Sequence, residues 1–102
     1  MPEERLPPQN LAAEQSVLGS MLLDKNAVAR GIELLIPDSF YRDAHRFIFE
    51  ATLNLFDRGE PVDLVTVTEE LRKGGKLDAV GGSIYVTDLL NSVPTAANIE
   101  YY

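Results

Sequence analysis

Residues 43–58 read DAHRFIFEATLNLFDR. One apolar row runs through Ala44, Phe47, Ile48, Ala51 and Leu55, and a second through Phe49, Leu53 and Phe56. Steps of three and four residues place each row along one side of an α-helix. Two adjacent rows predict burial on more than one side, so this segment is the expected central helix. Gly59 follows as its natural C-terminal cap.

Working towards the N-terminus, Pro37 ends a shorter helix expected over Asn26–Ile36, because the residue before proline disfavours helical geometry. Val28, Ile32, Leu35 and Ile36 form its apolar side. Before it, Asn10 is a good N-cap for a helix over Leu11–Leu23. Leu11, Leu18 and Leu22 share a face there, widened by Val17 and Met21. Glu14 and Gln15 interrupt that stripe, so the first turn is expected to be only partly buried. Residues 1–9, with Pro7-Pro8, read as a flexible arm.

Towards the C-terminus, Val62-Asp63-Leu64-Val65 reads as extended. Thr66-Val67-Thr68-Glu69 matches the capping box S/T-x-x-E and opens a fourth helix ending at Gly74-Gly75. Gly82-Ser83 opens a fifth, over Ser83–Ser92, with Ile84, Val86, Leu89, Leu90 and Val93 apolar. Thr95, after Pro94, starts a sixth that the sequence leaves at Tyr101-Tyr102. Either the C-terminus frays, or a longer helix has been cut; the cut helix explains a well-formed start without a stop. The expected fold is all-α, a compact bundle of about six helices with the last one truncated. Residues 10–94 form the head domain, and residues 95–102 begin the truncated helix.

The chain has 102 residues, 45% of them hydrophobic and 25% charged. That is ordinary composition for one small globular domain. Nine Lys and Arg against sixteen Asp and Glu give a net charge of −7. Such a surface is repelled by nucleic-acid phosphates and by anionic membranes. The absence of cysteine removes disulfide, thiolate and iron–sulfur chemistry. With no apolar run long enough to span a bilayer and no signal-peptide pattern, the expected location is cytoplasmic.

Catalytic patterns are missing. His45, the single histidine, could serve as a general base, but no nucleophile motif accompanies it. A polar residue in the first turns of a buried helix is the better reading. Asp57, Glu60 and Asp63 lack EF-hand spacing and read as a solvated acidic loop. Gly75-Lys76 supplies part of a P-loop, but Glu70 stands at the first glycine and Leu77 at the Ser/Thr position. Glu69 and Glu70 are neighbours on a helix and point about 100° apart, so they do not converge. No metal, cofactor or catalytic residue is expected within these residues. A helix-turn-helix over residues 66–93 would make Ser83 onward the recognition helix. That stretch holds no Lys or Arg, which argues against contact with phosphate or guanine. The residues alone leave an acidic helical module for protein interaction, with Tyr85, Tyr101 and Tyr102 in its least charged stretch.

An ordered set of short motifs sharpens this. Pro7-Pro8-Gln9-Asn10 precedes Ala13-Glu14-Gln15-Ser16-Val17-Leu18-Gly19. Phe40-Tyr41, Ala44-His45 and Ile48-Phe49 follow, then Gly59-Glu60-Pro61-Val62-Asp63-Leu64-Val65-Thr66-Val67. Gly81-Gly82 with Tyr85 and then Pro94-Thr95-Ala96-Ala97-Asn98-Ile99 complete the set. In this order the chain resembles the N-terminal domain of bacterial replicative DNA helicases of the DnaB type.

The resemblance implies a helical head ahead of a helical hairpin, a linker and a RecA-like ATPase domain. The helix at Thr95 would begin the hairpin. It further implies a collar in a hexameric ring, which receives the helicase-binding domain of primase and, in some lineages, a helicase loader. ATP and Mg would be bound by the C-terminal domain of such a parent, not by these residues. The face expected to touch a partner surrounds the Gly81-Gly82 turn: Asp78, Ser83, Tyr85 and Asp88. Two carboxylates beside an aromatic offer a steering rim and an anchor. The alternatives are a free-standing acidic adaptor and a helix-turn-helix DNA-binding regulator, the second opposed by the net charge of −7.

Overall fold

The computed structural model describes residues 10–93. Six α-helices lie within them: α1 Leu11–Leu23, α2 Lys25–Leu34, α3 Asp43–Asp57, α4 Leu64–Lys73, α5 Leu77–Val80 and α6 Gly82–Leu90. A 3-10 turn, Pro37–Ser39, joins α2 to α3. No strand occurs among the described residues, and the all-α expectation holds. The helix expected from Thr95 and the arm over residues 1–9 lie outside the described residues.

Helix α3 is the centre of the bundle. It packs against α1, α4, α5 and the 3-10 turn. Ala44, Ile48, Ala51 and Leu55 of its first row and Phe49 of its second are buried. Phe56 at the far end is 45% exposed, so the second row sinks only through part of its length. Two polar residues join the buried face, His45 and Thr52. The Thr52 hydroxyl donates to the Ile48 carbonyl at 3.1 Å, which satisfies it within its own helix.

Helix α1 lies beside α2, α3 and α6. Leu18, Met21 and Leu22 are buried as expected. Glu14 is not partly buried but fully enclosed, at 0% exposure. It stands four residues before Leu18, one turn up the same face, so the helix that buries Leu18 buries Glu14 too. Asn10 makes no side-chain cap to α1.

Several boundaries differ from the sequence reading. Helix α2 begins at Lys25, because Asp24 caps it by accepting from the Asn26 N–H at 2.9 Å. It stops at Leu34, and Leu35 and Ile36 are extended. Ile36 is therefore on the surface, 61% exposed. Helix α4 starts two residues before Thr66. Its capping box is Asp63 with Thr66: the Thr66 N–H donates to Asp63 Oδ1 and the Asp63 N–H to Thr66 Oγ1, both at 2.9 Å. The extended segment thus ends at Asp63, and Leu64 and Val65 are helical. Helix α5 is a single turn between two glycine pairs, too short to show a periodicity, yet it buries Val80. Helix α6 ends at Leu90, short of Ser92.

Glycine makes two close fits. Gly19 faces α6 so closely that a β-carbon there would stand 2.2 Å from the Leu89 carbonyl oxygen and 2.5 Å from Val93 Cγ2. Gly81 and Gly82 both have positive φ, +106° and +79°, a region that L side chains rarely adopt. They reverse the chain between α5 and α6 and so aim α6 back across α1.

Candidate partner-binding site

Helix α6 carries three of the four residues expected at the site, Ser83, Tyr85 and Asp88. Asp78, in the first turn of α5, is exposed, as are Ser83 and Asp88. Tyr85 is half-buried. At 100° per residue, Tyr85 and Asp88 fall on one side of α6, three residues apart. Ser83 points to the other side, where its carbonyl accepts from the Thr87 hydroxyl at 2.9 Å. The structure therefore groups Tyr85 with Asp88, places Asp78 on the preceding turn and sets Ser83 apart.

Tyr85 is held from beneath. Its hydroxyl lies 2.6 Å from His45 Nε2 and accepts from Gln15 Nε2 at 3.3 Å. The other imidazole nitrogen, His45 Nδ1, lies 2.7 Å from Glu14 Oε1. The second carboxylate oxygen, Glu14 Oε2, accepts from the Tyr41 N–H at 2.8 Å. A continuous polar chain thus runs Tyr41, Glu14, His45, Tyr85, Gln15. It joins α1, α3 and α6 beside the apolar core.

Donor and acceptor needs assign the protons. A carboxylate only accepts, so His45 carries its proton on Nδ1 and donates to Glu14. Nε2 then accepts from the Tyr85 O–H, and Gln15 donates to the Tyr85 oxygen. In this state every bond in the chain has one donor and one acceptor with the imidazole neutral. Burial pushes the His45 pKa below its ordinary 6.5, although the hydrogen bond and charge of Glu14 oppose that shift; Arg42 adds to it. Neutral imidazole is the form that survives in such a place.

Aromatic contacts complete the surroundings. The imidazole and phenol rings are nearly parallel, with centroids 5.9 Å apart and 17° between planes. Phe40 meets His45 edge-on at 6.5 Å. On the outside, the Arg42 guanidinium sits 5.5 Å from the centre of the Tyr85 ring, within cation–π range. The Tyr85 hydroxyl, part-buried, is hydrogen-bonded to His45 and Gln15. Glu14 and Gln15 were absent from the expected site. The signal for Glu14 was its position on the apolar stripe of α1; for Gln15 nothing in the sequence points to Tyr85, seventy positions away.

A separate groove of about 750 Å³ lies between the α1–α2 junction and the loop after α3, with Leu22, Leu23, Val28, Phe56 and Val62 among its walls. No group of three or more metal-binding side chains occurs among the described residues. Nor is any described helix long and apolar enough to cross a membrane.

Comparison with known proteins decides the family. Residues 6–102 match the family described as the DnaB-like helicase N terminal domain. This chain belongs to that family. The chain is 61% identical to the replicative DNA helicase DnaC of Bacillus subtilis (strain 168), over 97% of this chain and 22% of the relative. It is 56% identical to the replicative DNA helicase DnaB of Geobacillus stearothermophilus, again over 97% of this chain and 22% of the relative. Its fold resembles the crystal structure of the N-terminal domain of DnaB helicase from Mycobacterium tuberculosis, with a TM-score of 0.84 and 55% identity. That likeness covers 95% of this chain and 70% of the other. The chain thus spans about a fifth of these relatives' length (22%).

Proposed function

We propose that this DnaB-type domain is a non-catalytic collar element of a hexameric replicative helicase, and that it supports ring assembly and docks primase during DNA replication. ATP and Mg belong, in this reading, to the C-terminal ATPase domain of the parent. The helix starting at Thr95 would lead into the hairpin through which collar domains pair. A helicase loader is a second partner of the same collar. Little DNA is held by the domain itself, since its net charge is −7 and phosphate affinity rests on Lys and Arg.

The observation that carries the docking reading is the presentation of Tyr85. A half-buried aromatic anchored from below by His45 and Gln15, with Asp88 on the same side and Asp78 nearby in the chain, combines a rigid anchor with a charged rim. Interfaces favour that combination, because a pre-ordered aromatic loses little freedom on docking. The partner that suits it is basic around an apolar pocket.

The test is titration of the C-terminal helicase-binding domain of primase into the full-length hexamer. Tyr85→Ala is expected to weaken binding about tenfold or more, as truncation of an interface anchor does. Asp78→Lys with Asp88→Lys should slow association and flatten its salt dependence. Unchanged affinity for Tyr85→Ala, with the hexamer and the fold intact, would overturn the docking reading.

A further inference from the structure

We propose that Glu14 and His45 are positioning residues for Tyr85, and that proton uptake by His45 reverses the hydrogen-bond polarity Tyr85 offers to a docked partner. The proposal rests on the docking reading of α6 and names a means of regulating it.

A phenol oxygen has one O–H and two lone pairs. With His45 neutral, the Tyr85 O–H donates to Nε2 at 2.6 Å. One lone pair accepts from Gln15 at 3.3 Å. The other is left for an outside donor. When His45 takes up a proton, both its nitrogens donate. Nδ1–H still serves Glu14, but Nε2–H now needs a lone pair on the Tyr85 oxygen. Gln15 keeps the other. The hydroxyl proton must then turn away from the imidazole and point outward. The heavy atoms need not move, yet Tyr85 changes from acceptor to donor on its outer side.

The charges around His45 define what this does. Glu14 faces it from α1 and favours the imidazolium, while Arg42, just before α3, disfavours it. Tyr85 is the titratable group that meets it from α6, and Phe40 contributes only an aromatic edge. The exposed carboxylates Asp78 and Asp88 select a partner rich in donors. Such a partner is served by the acceptor form of Tyr85 and opposed by the donor form. Docking therefore weakens as His45 becomes protonated.

Two measurements test this. The first uses the 102-residue chain and nuclear magnetic resonance between pH 7.5 and 5; His45 is the single histidine, so its titration is unambiguous. The Tyr85 ring signals should follow the His45 imidazole with the same midpoint. Tyr85→Phe should lower that midpoint, because the imidazolium loses the acceptor of its Nε2–H, a charge-assisted bond stronger than the one the neutral ring loses. Tyr85 signals that ignore the His45 titration, or a midpoint unmoved by Tyr85→Phe, would overturn the switch.

The second uses the full-length protein and the helicase-binding domain of primase. Affinity should fall about three- to tenfold from pH 7.5 to pH 5.5, the range of one hydrogen bond. His45→Gln should lose that dependence, and Tyr85→Phe should lose it too if the glutamine variant fails to fold. The same pH dependence in Tyr85→Phe as in the unaltered protein would overturn the proposal. Docking indifferent to Tyr85→Ala, beside a coupled titration in the free chain, would overturn the docking reading and uphold the switch.

Discussion

Glu14 is a carboxylate enclosed at 0% exposure, and its neighbours explain how the fold tolerates it. Each of its oxygens receives an N–H, one from Tyr41 and one from His45. Glu14→Ala would leave both donors without a partner in the interior. A buried donor left unpaired costs about 1–3 kcal/mol, so the loss of both should be about 2–6 kcal/mol in a urea unfolding experiment. The histidine gives a pH signature as well. Its pKa is lowered on folding, so the unfolded chain binds the proton more readily. Stability is then full above about pH 6.5, the ordinary histidine value. It falls as pH drops towards the lower folded value and levels off beneath it. Urea unfolding at steps between pH 7.5 and 5 should show this fall, and His45→Gln should remove it. Glu60 and Glu70 act elsewhere on the scale. Arg58 holds both below the ordinary carboxylate value of 4.5, so their contribution is lost only in stronger acid. All three lie on the surface, where salt screens such pairs.

At the scale of the element, helix starts and close approaches decide the outcome. The box that opens α4 pairs Asp63 with Thr66. Asp63→Ala should therefore destabilise by about 1 kcal/mol, as loss of an N-cap does, whereas Glu69→Ala should change thermal unfolding little. The choice between two overlapping boxes was not legible locally. Val67 and Leu71 are both buried, and starting the helix at Leu64 gives them a full turn of support on the N-terminal side. The contact of α1 with α6 depends on Gly19. Gly19→Ala would drive a methyl group into the Leu89 carbonyl, which is backbone and cannot turn aside. Calorimetry should show a loss of about 2–4 kcal/mol, at or above the usual range for overpacking. Gly31→Ala is the contrast: its methyl would meet the Met21 side chain at 3.0 Å. That thioether can turn, so the change should stay within about 1 kcal/mol.

Across the whole molecule, the polar chain and the apolar core serve different ends. Leu18, Phe49, Ile48, Leu55, Val67 and Leu89 exclude water and supply the non-directional part of the stability. The link from Glu14 to Tyr85 is directional and ties α1, α3 and α6 in one relative placement. Partly satisfied, such a network weakens a fold; satisfied, it specifies one arrangement. Tyr85→Phe should therefore lower the melting temperature only modestly, while amide hydrogen exchange in α6 quickens relative to α4. Equal exchange in both helices would argue against a tie through the hydroxyl.

Sequence by itself determined the helical class, the central place of α3 and the stops at Gly59 and Gly74-Gly75, because periodicity and local backbone preference act within a few residues. The ordered motifs also carried the family resemblance, for the same reason that each is a short, local pattern. Tertiary structure alone decided that Glu14 is buried, that Ile36 faces outward, and that one turn of helix lies between the glycine pairs. It alone brought Gln15, His45 and Tyr85 together. Their bonds close only when three helices dock, and a hydrogen bond between residues forty or seventy positions apart leaves no periodic trace in the chain.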